Sequence, residues 1–257
     1  MNATAAVCRI VAELPPVSLD VLLAKAELQR RVDTKFIVFP AVLQRLVAAL
    51  DGELEVLEID GRRQFAYDSV YFDSPTFRTY RDHLKGRRRR FKARTREYVD
   101  TGTCMFEIKL EQGRGGTAKV RVPHPVGSAR QLTAGASGLL RSVLADAGID
   151  AGEDLVPSLR TAYRRTTLVG RQREFRLTVD TELHWSGAGR QRSALGDRVL
   201  LEVKTPGARD PLLDLARTLG MRPVSVSKYC AGVALLHPEI PSNPWRPVLR
   251  DHFGAAA

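Results

Sequence analysis

The residues best suited to chemistry lie in one basic stretch, Lys85 to Lys109, centred on Arg87-Arg88-Arg89-Arg90-Phe91-Lys92-Ala93-Arg94-Thr95-Arg96-Glu97-Tyr98. Strand side chains alternate between two faces, so a strand here sets Lys92, Arg94, Arg96 and Tyr98 on one side. Phe106-Glu107-Ile108-Lys109-Leu110 alternates in the same way, with Glu107 and Lys109 opposite three apolar residues. Neighbouring cations repel, so such a face costs stability unless an anion sits among them. The chemistry it suits is the gripping of phosphate oxygens, for which arginine's planar, multi-donor head is well shaped. A solvated sheet surface is the plainer reading of any single charge run, but here the pattern recurs along several strands.

The charge balance points the same way. Against 29 Asp+Glu stand 40 Lys+Arg, leaving +11 on 257 residues. That excess implies a polyanionic partner: nucleic acid, a membrane surface or a polyphosphorylated ligand. Apolar residues make up 44%, enough to bury a core. The three cysteines, Cys8, Cys104 and Cys230, are far apart and form no CxxC, which supports neither a zinc site nor a disulfide framework. No apolar run reaches the roughly 18 residues of a membrane span. Met1 to Val11 lacks the order of a signal peptide, so a reducing cytoplasm is expected, with docking of Arg87–Arg90 on anionic lipid as an open alternative to a solvated strand end. There is no Walker motif, GxSxG or HExxH. The five histidines (His83, His124, His184, His237 and His252) are scattered, which argues against a histidine-centred mechanism.

The elements that must position these side chains follow from pattern. Residues 1–14 read as a loose terminus. Ser18 caps a short helix carrying Leu19, Leu22, Leu23, Ala26 and Leu28. Arg31 to Val38 reads as a strand with Arg31, Asp33 and Lys35 on one face. Pro40, the apolar Val42, Leu43, Leu46, Val47 and Leu50, and Gly52 just beyond predict an amphipathic helix. Leu54–Ile59 and Gln64–Phe72 read as strands of a hairpin turning at Asp60-Gly61. Ser74 and Pro75 predict the start of a helix running towards Leu84. Strands follow over about 88–99, 104–111 and 117–122, the last two joined through Gly113-Arg114-Gly115-Gly116. A helix around Leu139–Leu144 ends at Gly148. Further strands begin at Pro157, run over Phe175–Leu183, which sets Arg176, Thr178, Asp180 and Glu182 on one face, and run over Val199–Lys204. Helices are predicted over Pro211–Leu219 and from Ser227 to Leu236, and the Pro-rich tail from His237 reads as irregular. With no repeat and no linker, residues 1–257 are expected to form one domain with its core over about 30–236.

Each of these strands pairs a charged face with an apolar one. Two geometries satisfy that pattern: a sandwich with the charges in water, or a closed barrel whose helices cover the outside and whose charged faces line a cavity. Charged faces usually see water, which favours the sandwich on pattern alone. Carboxylates among the cations, Glu202 and Glu107 above all, would let such a site hold Mg²⁺ or Mn²⁺, and a cross-strand ion pair is the plainer role of either one.

The order of short motifs resembles the VTC domain, the polyphosphate-polymerase branch of the triphosphate tunnel metalloenzyme (CYTH-like) superfamily. The matching pieces are Asp33-Thr34-Lys35-Phe36, Tyr71-Phe72-Asp73-Ser74, Lys92 to Tyr98, Phe106-Glu107-Ile108-Lys109, Tyr163-Arg164-Arg165-Thr166, Arg176 to Thr181, Leu201-Glu202-Val203-Lys204 and Ser227-Lys228-Tyr229. The resemblance implies an α+β fold built on a closed eight-stranded antiparallel β-barrel with helices packed outside. It implies that Lys35, Arg94, Arg96, Lys109, Lys119, Arg165, Arg176 and Lys228 grip phosphates and that Glu202 holds Mn²⁺ or Mg²⁺. It leaves Arg121 and Lys204 to assist and Tyr71 and Tyr163 to orient the basic side chains, with Glu107 expected to pair across strands with a neighbouring cation. Hydrolytic relatives often begin with ExExK; here the equivalent positions are Arg31, Asp33 and Lys35, which favours the polymerase branch.

The implied activity is metal-dependent transfer of the ATP γ-phosphoryl group to a growing polyphosphate chain, so ATP and inorganic polyphosphate are the expected partners. Any membrane coupling is expected to fall to a separate partner. A tri- or polyphosphate hydrolase and a non-catalytic polyanion binder stay open as alternatives. RNA is disfavoured, because acidic groups interleave with the basic ones and aromatic residues make up only 7%.

Overall fold

Alternating charged and apolar residues build the strands here, and apolar residues at helical spacing build the cover over them. The computed structural model describes residues 2–25, 32–112, 117–150 and 152–254. In chain order its strands are β1 (Pro16–Val17), β2 (Val32–Val38), β3 (Leu54–Leu57), β4 (Phe65–Asp73), β5 (Arg89–Tyr98), β6 (Thr103–Gln112), β7 (Thr117–Pro123), β8 (Val156–Gly170), β9 (Arg176–Gly187), β10 (Arg190–Ser193) and β11 (Val199–Thr205). Its helices are α1 (Ala3–Ile10), α2 (Leu19–Lys25), α3 (Pro40–Ala49), α4 (Arg78–Leu84), α5 (Ala134–Asp146), α6 (Pro211–Thr218), α7 (Lys228–Leu236) and α8 (Arg246–Phe253). The fold is therefore α+β, as expected. Arg31, part of the expected first strand face, and the Gly113–Gly116 connector lie outside the described residues.

The main strand path runs β2-β11-β9-β8-β4-β5-β6-β7, with β1, β3 and β10 as side branches. Among the described residues β2 and β7 are the ends of this path, so the closure expected of a barrel is not part of the pairing. Chain contacts divide the molecule into two compact units. One comprises Met1–Phe65, Tyr163–Leu183 and Ser193–Ser225; the other comprises Ala66–Ala162, His184–Arg192 and Val226–Ala257.

In the first unit, apolar residues of β2, β9 and β11 (Phe36, Leu177, Val179, Leu201 and Val203) are buried against α1, α3 and α6. In the second, Phe72, Phe91, Ala93, Phe106, Ile108 and Leu110 are buried under Leu140 and Leu144 of α5. Helices cover the apolar faces in both units. Each fully buried leucine of α5 contributes about 1.5–3 kcal/mol to holding that cover in place. Because strand side chains alternate, the charged residues in between must point to the face away from the helices.

Several expected local structures differ. Of the expected loose terminus over 1–14, residues 2–14 are ordered: Asn2 caps α1 by accepting the Thr4 N–H, and Ala3, Ala6 and Val7 are buried. The α1 sequence is short, and its apolar stripe is visible only once the partner helices are known. Asp60-Gly61 does turn, both residues at positive φ (50° and 73°), but the ladder stops at an isolated Ile59–Arg62 bridge. β3 pairs with β1 and β8 instead of β4, so no hairpin forms. The Pro-rich tail is not irregular throughout, since Arg246–Phe253 is helical with Val248 and Leu249 buried. In the second unit Trp185 packs edge-on to Phe253 at 5.3 Å, and Trp245 packs on Tyr80 at 5.2 Å.

Candidate functional site

Strand register decides which charges meet. In the second unit β5 and β6 place Lys92 opposite Lys109, Arg94 opposite Glu107 and Arg96 opposite Met105. β7 adds Lys119 opposite Lys109 and Arg121 opposite Glu107. From the other side, β4 sets Tyr71 opposite Arg94 and Ser69 opposite Arg96. Residues directly opposite one another share a face, so all of these side chains project together.

Glu107 is the hub of this face. Its carboxylate is only 2% exposed and accepts from Arg94 Nε at 2.8 Å and Nη2 at 2.6 Å and from Lys119 Nζ, with Arg96 Nη1 at 3.8 Å. Burial alone would raise its pKa, but Arg94, Arg96 and Lys119 outweigh burial and hold it well below the usual carboxylate range. Lys119 is pushed towards its neutral form: burial, with Arg94 and Arg96 adding to it, brings its pKa down to about 8 despite Glu107. The expected cross-strand role of Glu107 is thus a three-cation clamp.

A second chain of contacts fixes Arg94. Its Nη1 donates to the Tyr71 hydroxyl at 2.8 Å. Burial opposes ionisation of Tyr71, yet Arg94, Arg96 and Lys228 lower its pKa. The Tyr71 ring stacks on Tyr229 at 5.0 Å, and the Tyr229 hydroxyl donates to the buried carboxylate of Asp73. Asp73 also accepts the backbone N–H groups of Ser74, Thr79 and Tyr80 at 2.7, 2.8 and 3.0 Å. It therefore caps α4, which begins at Arg78 and not at the expected Ser74-Pro75. Asp73 and Tyr229 each lie in one of the matching motifs, but nothing local in the sequence ties a strand-end aspartate to a tyrosine over 150 positions away. Tyr229→Phe is expected to lower stability by about 1.5–3 kcal/mol, the worth of a hydrogen bond to a buried charge. An unchanged urea midpoint would show that this hydroxyl does not hold Asp73.

Lys228, the first residue of α7, follows the Ser227 cap. Its carbonyl accepts the Trp185 indole N–H at 2.9 Å. The second unit thus holds Tyr71, Arg94, Arg96, Lys109, Lys119, Arg121 and Lys228 of the expected set.

The first unit holds the rest. β11 lies between β2 and β9, with Glu202 opposite Lys35 on one side and Thr178 on the other. One step along, Lys204 lies between Asp33 and Arg176. Lys204 Nζ sits 2.8 Å from Glu202 Oε1 and 3.2 Å from Asp33 Oδ2. Burial would raise the Glu202 pKa, but Lys204, Lys35 and Arg165 hold it well below the ordinary range. Arg165 makes a two-pronged contact with Asp180 at 2.6 and 2.8 Å and lies over the Tyr163 ring at 5.2 Å. Glu182, expected beside Asp180, departs from that face. Its backbone takes φ 53°, breaking the alternation, and its carboxylate accepts from Thr4 Oγ1 at 2.7 Å and Arg164 Nε at 3.1 Å.

The donor set fits a divalent cation in one way only. Among the described residues no three His, Cys, Asp or Glu side chains gather to hold a metal. Glu202 offers an ionised carboxylate beside Thr178, whose buried hydroxyl has no hydrogen-bond partner among the described residues. Such a site suits a hard cation that takes its remaining ligands from phosphate oxygens and water.

A family model described as the VTC domain matches residues 30–237. A search of curated proteins found no match. Among solved structures, one similar protein is from Bacillus halodurans, with a provisional adenylate cyclase designation (16% identity, 77% of this chain and 94% of that one, TM-score 0.49). Another is from Pyrococcus horikoshii (13%, 80% and 98%, TM-score 0.46). A third, from Hippeastrum, carries a provisional adenylyl cyclase designation and has a dominant triphosphatase activity (15%, 79% and 96%, TM-score 0.44).

Proposed function

Because the matching model spans most of its length, the chain belongs to the VTC domain family, and from that premise we propose that it is a polyphosphate polymerase, moving the γ-phosphoryl group of ATP onto the end of an inorganic polyphosphate chain. The observation that carries this reading is the strand face on which Arg94, Arg96 and Lys119 gather around one buried carboxylate, with Lys109 and Arg121 beside them. Phosphoryl transfer asks little covalent chemistry of a protein and much positioning and charge neutralisation. An oxygen of the acceptor's terminal phosphate attacks the γ-phosphorus. The bond from that phosphorus to the bridging oxygen breaks, and ADP leaves with the electron pair. No side-chain nucleophile is needed.

Arg94, Arg96, Lys109, Lys119 and Lys228 bind and orient phosphate oxygens in the second unit; Lys35, Arg165 and Arg176 do so in the first. Tyr71 and Tyr163 hold Arg94 and Arg165 in place, and Arg121 and Lys204 add charge. Cations already aimed need no reorganisation as charge develops in the transition state. Glu202 would hold the divalent cation, Mn²⁺ or Mg²⁺, which supplies further neutralisation of phosphate oxygens. Among the described residues no helix is long and apolar enough to cross a membrane.

The test is incubation of purified protein with ATP and Mn²⁺ or Mg²⁺, with products resolved by length on a gel. A ladder of long phosphate chains together with ADP is the expected result. Orthophosphate alone would replace the reading with a hydrolase, and tight polyphosphate binding without turnover would replace it with a binding module.

A further inference from the structure

Lys92 stands apart from the other cations of its face. Along β5 it alternates with Phe91 and Ala93, which are buried under α5, so its side chain shares the face of Arg94 and Arg96. Register places Lys92, Lys109 and Lys119 side by side on β5, β6 and β7, a row of three lysines across about 10 Å of sheet. Like charges directly opposite one another destabilise a sheet. The protein relieves two of the three. Lys119 lies on Glu107, and Lys109 Nζ is 3.4 Å from Glu111. Among the described residues, Lys92 has neither a hydrogen bond nor an ion pair, although it is half-buried.

This contrasts with the care taken over nearby cations: Arg94 and Arg96 share Glu107, and Arg160 grips Asp68. The groups that face Lys92 are Lys109 and Glu111 from β6, Tyr71 from β4, His83 from α4 and Cys230 from α7. None of them is a carboxylate in contact with its ammonium.

We propose that Lys92 is a phosphate-chain contact, the inner end of a lysine row with Lys109 and Lys119 that takes up successive phosphoryl groups of a linear polyphosphate. This subsite rests on the polyphosphate reading above and deepens it, since a row of ammonium groups suits a repeating anion better than a single phosphate. Burial and then Lys109 lower the Lys92 pKa. An arriving anion reverses that balance, so binding draws a proton onto this row at alkaline pH. The competing role, a lysine stem merely packing on apolar neighbours, predicts neither effect.

Lys92→Met keeps the stem and removes the charge. Tripolyphosphate affinity, measured by calorimetry, is expected to fall by roughly ten- to a hundredfold, as for loss of a hydrogen bond to a charged group. Lys92→Arg is expected to restore most of it. Repeating the titration at successively higher pH in buffers of different ionisation enthalpy is expected to show proton uptake by the wild type and less by Lys92→Met. The thermal midpoint of Lys92→Met is expected to equal or exceed that of the wild type, because an unrelieved charge has gone. Wild-type affinity and proton uptake in Lys92→Met would overturn the proposal while leaving the polymerase reading intact. A wild type that binds tripolyphosphate but builds no chains would overturn the polymerase reading while leaving Lys92 in place.

Discussion

Glu107→Gln is expected to cost about 3–5 kcal/mol of folding stability and to yield a protein that tripolyphosphate stabilises far more than it does the wild type. The cost follows from breaking a buried charge cluster by removing its single anion, which leaves Arg94, Arg96 and Lys119 facing one another. The rescue follows because a phosphate chain supplies the anion that the amide no longer provides. Thermal unfolding with and without tripolyphosphate checks both halves. At this size each kcal/mol corresponds to about 2–4 °C. A midpoint close to wild type, or no extra gain with tripolyphosphate, would remove Glu107 from its organising role. The same carboxylate sets an acid limit. Its folded pKa is depressed, so its contribution is full above the ordinary carboxylate range and is lost as pH falls below it.

Glu202→Ala is expected to reduce chain synthesis by roughly two to three orders of magnitude while tripolyphosphate binding is retained. Binding persists because the cations around Glu202 remain. The fold persists because Lys204 keeps Asp33 as a partner at 3.2 Å. The informative readout is a metal titration: wild-type synthesis should saturate with Mn²⁺ or Mg²⁺, and the variant should not respond. Metal-dependent synthesis by Glu202→Ala would free this carboxylate from the assignment, and a loss of binding equal to the loss of synthesis would make its role one of affinity.

Much of this arrangement could be read from period-two alternation. Residues 91–96 declare which side chains point together, and so do 106–110 and 199–204, because a strand's two faces are fixed by parity. Parity failed at Glu182, whose own left-handed backbone conformation takes its side chain off the face of Asp180. It also could not choose strand partners. Asp60-Gly61 promised a hairpin, but β3 pairs with β1 and β8 and not with β4. Helix cover was legible where caps and spacing agreed, as at Pro40 and Ser227, and not at residues 3–10, whose few buried positions gain meaning only from the surfaces they meet. The Asp73–Tyr229–Tyr71–Arg94 chain was illegible for the same reason: it exists only in three dimensions.

The placement of Trp185 and Trp245 gives the molecule an optical asymmetry. Both tryptophans of the chain belong to the second unit, and both are buried. Intrinsic emission excited at the indole band therefore follows the surroundings of α7 and α8, with no indole in the unit that carries Glu202. Far-ultraviolet circular dichroism sees the helices and strands of both. Recorded on one denaturant series, the two signals form a ruler with unequal arms: coincident curves mean that the units melt as one, and a gap between them measures how independently the Glu202 half unfolds.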